Sequence, residues 1–66
     1  MTDQLSKRYA QLGLALELFE IGDKMNACYQ LGFIRHAIST DPVLSSDERK
    51  ALEDRSAVLY KKFLGK

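Results

Sequence analysis

One histidine and one cysteine, His36 and Cys28, are the first residues to weigh as a catalytic pair. A nucleophile needs its base within hydrogen-bond reach and a third group to orient that base. On a single helix their separation turns one about 80° around the axis from the other, and no orienting group stands at a usable offset. His36 therefore reads as a structural or surface histidine, and Cys28 as a buried, inert thiol. The pair also falls short of the four ligands that a structural zinc site requires.

Two charged groups come next. Glu17 and Glu20 share a helical face, with Asp23 just beyond. Paired acids can move protons or hold a cation, but no loop of oxygen ligands accompanies them. They read as a solvated acidic patch, suited to the rim of a basic partner's site. Residues 45–66 hold six basic and four acidic side chains. Arg49, Lys50, Arg55, Lys61, Lys62 and Lys66 could contact phosphates. Glu53 and Asp54 are spaced to pair with Arg49 and Lys50 along one helix, which leaves little free basic surface. Phosphate-binding glycine loops, G-x-S-x-G and H-E-x-x-H do not occur. The expectation is a protein that is not an enzyme, with no cofactor and no metal.

The elements that would carry these residues are helices. Gly22-Asp23 and Thr40-Asp41-Pro42 break two apolar-periodic stretches; glycine favours the position past a helix end, and proline disfavours helix at the residue before it. Ser45 and Glu48 have the spacing of a capping box. Three helices follow, near residues 3–21, 24–40 and 46–64. At about 25–29 Å each they can lie side by side. No alternating strand pattern is present.

Helix 1 carries a core stripe of Leu5, Tyr9, Leu12, Leu16 and Phe19, and a second set, Leu14, Leu18 and Ile21, on the opposite side. In helix 3, Leu52, Leu59 and Phe63 form one stripe with Ser56 inside it. Helix 2 is apolar on two sides: Met25, Tyr29 and Phe33 on one, Ala27, Leu31, Ile34 and Ile38 on the other. A helix apolar on two sides needs two neighbours. Three helices have more apolar surface than they can hide among themselves. Gly13 and Gly32 fall inside helices, where each costs about 1 kcal/mol against alanine, and close helix–helix approach would account for them.

Leu14-Ala15, Leu18, Gly22-Asp23, Ala27, Ala37-Ile38 and Asp41-Pro42 together resemble a single tetratricopeptide helix pair over about half the chain, although the proline falls about three residues later than in that repeat. The resemblance implies a peptide- or protein-binding helical hairpin.

Chain length and composition agree with one small domain over residues 1–66. The 66 residues are 45% hydrophobic and 29% charged, with a net charge of +1. That balance excludes intrinsic disorder and gives no general attraction to nucleic acid or acidic membranes. A charged residue interrupts every apolar run before a membrane span could form, no secretory signal is seen, and a lone thiol fits a reducing cytoplasm.

The expected fold is therefore all-α, a three-helix antiparallel array with helix 2 central, with dimerisation as one way to complete it. The expected function is a small protein–protein interaction module, an adaptor, regulator or inhibitor. Its partner is another protein or a second copy forming a homo-oligomer. Leu14, Leu18, Ile21, Leu31, Ile34 and Ile38 are the candidate partner-binding residues. The alternative is a nucleic-acid-binding regulator that uses the basic residues of helix 3.

Overall fold

The computed structural model describes residues 3–65, which form three α-helices: α1 (Asp3–Glu20), α2 (Lys24–Thr40) and α3 (Ser46–Phe63). Each boundary has a local cause. Gly22 takes φ 96°, and the Gly22 and Asp23 amides donate to the carbonyls of Phe19 (3.1 Å) and Leu18 (2.9 Å). This pairing satisfies the carbonyls left over at the end of α1. Asp23 then starts α2, its carboxylate accepting the Asn26 amide at 3.3 Å and the Asn26 side chain at 2.7 Å. Extended backbone at Asp41, as the following proline requires, ends α2. The capping box at α3 is complete: the Glu48 amide donates to Ser45 Oγ (3.2 Å), and the Ser45 amide donates to Glu48 Oε1 (2.9 Å). Asp47 and Glu48 in its first turn, with Lys61 and Lys62 in its last, complement the helix dipole.

The first turns of α1 meet the segment just past α2, through Gln4 and Arg8 on Asp41. The end of α1 meets the end of α3, where Phe19 and Phe63 stack with centroids 4.6 Å apart. Hence α2 runs antiparallel to α1, and α3 returns alongside both. The extents of 33 × 20 × 17 Å are one helix long and about two helix diameters across.

The core consists of Leu12 and Ala15 from α1, Ala27, Leu31, Ile34 and Ile38 from α2, Leu44 from the link, and Leu52, Leu59 and Phe63 from α3. Leu5, Leu16, Leu18 and Phe19 pack partly buried against it. Ala15 on α1 and Ala27 on α2 place small, fully buried side chains in this core.

A polar cluster closes the end of the bundle where α2 gives way to α3. The Asp41 side chain is almost wholly buried and accepts from Gln4 Nε2, from Arg8 Nε at 3.0 Å and from the Val43 backbone amide at 2.9 Å. These bonds, led by that from Gln4 and aided by the Arg8 charge, outweigh the opposing effect of burial and lower the carboxyl pKa from 3.8 to about 2. Arg49 reaches back from α3 to the carbonyls of Ile38, Asp41 (2.7 Å) and Leu44 (3.3 Å).

Several expectations change. The Leu31/Ile34/Ile38 side of α2 is the core, with Leu31 1%, Ile34 3% and Ile38 0% exposed, so it is closed to a partner. The Met25/Tyr29/Phe33 side is the open one. The reason is physical: a small chain supplies neighbours for one side of α2 only. The aliphatic side packs without leaving a hydroxyl such as that of Tyr29 in need of a buried partner. Cys28 is exposed rather than buried, because it lies on α2 towards that open side. Arg49 is held by carbonyls and not by Glu53, whereas Lys50 and Asp54 do pair, at 3.4 Å. Gly13 and Gly32 serve no close approach among the described residues, since a Cβ at either would meet nothing within 4 Å there.

Candidate functional site

With α2's aliphatic side consumed by the core, the second apolar set of α1 becomes the wall of a groove. Leu14, Leu18 and Ile21 follow one another at steps of four and three, so they line a single side of α1 over about 10 Å. Phe33 and Gln30 stand opposite on α2. The groove between them is about 430 Å³. Half-buried Leu18 and buried Ile34 form its floor, while Leu14 (60% exposed), Ile21 (78%) and Phe33 (62%) stand up around it. Gln11, Glu17 and Gln30 supply a polar rim. Gln11 is itself fixed by Arg8, whose Nη1 donates to its Oε1 at 2.8 Å.

The groove continues onto the outer surface of α2. Met25, Tyr29 and Phe33 recur every fourth residue, so they stand in one row, 84%, 72% and 62% exposed. A row about 12 Å long therefore borders a groove of almost the same length.

Of the six residues that the sequence singles out for partner binding, Leu14, Leu18 and Ile21 come together in this groove. Leu31, Ile34 and Ile38 are core, Ile34 contributing only to the floor. Sequence reasoning missed Phe33, Tyr29 and Met25, which it places on the other apolar side of helix 2 and not among the partner-binding residues. No local signal separates the two sides of α2, because both recur with the same helical period.

The groove's chemistry is limited. Among the described residues Glu17 is the one ionisable group that lines it, and no nucleophile or pair of acids does so. His36 is exposed on α2. Asp23 is committed to capping α2, which separates it from Glu17 and Glu20 as a cation-binding set. Among the described residues no group of three or more His, Cys, Asp or Glu is placed to hold a metal ion. Between α2 and α3 a second hollow of about 70 Å³ is bordered by Cys28, Gly32 and Tyr60, with the Arg35 guanidinium 4.8 Å from the Tyr60 ring centre. Of the basic residues on α3, Arg49 and Lys50 are engaged within the chain; Arg55, Lys61 and Lys62 are exposed, and Lys66 lies outside the described residues. No helix among the described residues is long and apolar enough to cross a membrane.

Comparison with family models, with curated proteins and with solved structures finds no match to this chain.

Proposed function

We propose that the chain is a non-catalytic protein-binding module, an adaptor, regulator or inhibitor, that works by taking apolar helical surface into the α1–α2 groove. The observation that carries this reading is the continuity of the groove with the Met25/Tyr29/Phe33 row. A small ligand would need an enclosed pocket with convergent polar groups. Here the apolar surface runs out of the groove and along a helix, the form in which one amphipathic helix receives another. Apolar side chains exposed together at this density mark contact surfaces. A reducing cytoplasm suits such a module, because the exposed Cys28 thiol would there stay unpaired.

The test compares the wild type with Ile21→Lys, a change at the most exposed end of the groove. Association, either with itself by light scattering or with proteins captured from host lysate, should be lost while circular dichroism stays helical. Identical masses and identical captured proteins for the two chains would sink the reading.

A further inference from the structure

We propose that the occupant of the groove is a second copy of this chain, related by a two-fold axis, with the Met25–Tyr29–Phe33 row of each copy seated in the groove of the other. The inference rests on the protein-binding reading and names its partner.

Three observations carry it. The first is area. With about 150–250 Å² for a whole aromatic side chain, the exposed parts of Tyr29 and Phe33 together with those of Met25, Leu14 and Ile21 come to on the order of 700 Å². Each partner in an interface of standard size contributes about 800 Å². One face of this chain thus carries almost all the surface that a stable dimer needs, and most of it is apolar.

The second observation is shape. The row and the groove meet at Phe33, which belongs to both, and are about 12 Å and 10 Å in length. A two-fold axis passing between them, beside Phe33, places each row over the partner's groove at once. This is the isologous arrangement, in which one patch is its own complement and the assembly closes at two. A row of residues four apart is also the kind of ridge that packs into a groove of a facing helix. The rim does not oppose the pairing: Gln11 and Gln30 are neutral, and only Glu17 is charged.

The third observation is Gly32. It stands in the middle of α2, between the row and the α2–α3 hollow, and a Cβ there would meet nothing within 4 Å among the described residues. No neighbour among the described residues needs the glycine. A helix of a second copy lying against the row would approach it closely.

Sedimentation analysis of the wild type, Phe33→Glu and Val58→Glu tests the proposal. Val58 is exposed on α3, away from the groove, and serves as the control. The expected result is a two-chain mass for the wild type and for Val58→Glu. Phe33→Glu should weaken self-association by about 30-fold or more, the effect of removing a central aromatic contact, with its helical spectrum unchanged. Tyr29→Glu, at a still more exposed site, reads the same face should Phe33→Glu lose its fold. A wild-type dimer untouched by both changes, or broken by Val58→Glu instead, overturns the proposed interface. A wild-type monomer overturns the second copy as occupant. In that case, capture of a lysate protein by wild type but not by Phe33→Glu would leave the protein-binding reading standing. Equal capture by both would overturn that reading as well.

Discussion

The two apolar sides of α2 have opposite fates. Ala27, Leu31, Ile34 and Ile38 are sealed against α1, α3 and the link, and the Asp41–Arg49 cluster closes the end of that side. Met25, Tyr29 and Phe33, on the same helix and no less apolar, face outwards. The difference shows that hydrophobicity alone does not assign a side chain to the core. Number of neighbours decides: a chain of three short helices can surround α2 on one side only. What remains outside is exposed.

The largest expected effect comes from breaking the sealed side. Leu31→Ala deletes buried methyl groups from a site 1% exposed, so it should cost about 2–5 kcal/mol in chemical denaturation. Phe33→Ala removes a larger side chain from the same helix. Measured where the protein is monomeric, it should shift stability by no more than about 0.5 kcal/mol, as surface substitutions do. Equal losses at the two positions would mean that both sides of α2 are core, and the contrast would collapse.

Acid tests the polar cluster that closes the sealed side. The Asp41 carboxyl has its pKa lowered from 3.8 to about 2 by folding, so the folded state binds its proton less readily than the unfolded chain does. The stabilisation is therefore fully present above about pH 4 and is lost as pH falls towards 2. Asp41→Asn removes the titration. Thermal melts should show the wild type ahead of Asp41→Asn at neutral pH, with the gap closing between about pH 4 and pH 2. A gap that stays constant down to pH 2 would show that the carboxylate's charge does not hold Gln4 and Arg8 in place.

Much of the fold was legible in the sequence because its signals are local. Gly22, Pro42 and the Ser45/Glu48 spacing each act within a few residues, and all three helices end within a residue of where those signals place them. The stripe on α3 was equally plain, since Leu52, Leu59 and Phe63 share one side while Val58, Tyr60 and Leu64 do not together form a second stripe at helical spacing. Leu14, Leu18 and Ile21 were readable as surplus for the matching reason: Leu5, Leu12 and Phe19 already fill the other side of α1. The choice between the sides of α2 was not legible. It depends on where α1 and α3 sit, a tertiary fact, and both sides have the same helical period. Asp41 and Arg49 were hidden for a similar reason, as their partners lie 33 and 8 residues away in the chain.

The smallest expected effect is the one that separates packing within the chain from packing between chains. Gly13 and Gly32 both sit inside helices, and at both a Cβ would meet nothing within 4 Å. Alanine at either position should therefore stabilise the monomer by up to about 1 kcal/mol, because it narrows the unfolded ensemble and favours helix. The two should differ once molecules associate. Gly13 lies on α1 away from the groove wall of Leu14, Leu18 and Ile21, so Gly13→Ala should leave self-association unchanged. Gly32 borders the Met25/Tyr29/Phe33 row, so Gly32→Ala adds a methyl group where a second helix would approach. It should raise the melting temperature at high dilution and weaken association at high concentration. Denaturation followed over a range of protein concentrations measures both quantities in one series. If Gly32→Ala behaved like Gly13→Ala throughout, the glycine would have no role on the open side, and the case for a second copy would rest on area and shape alone.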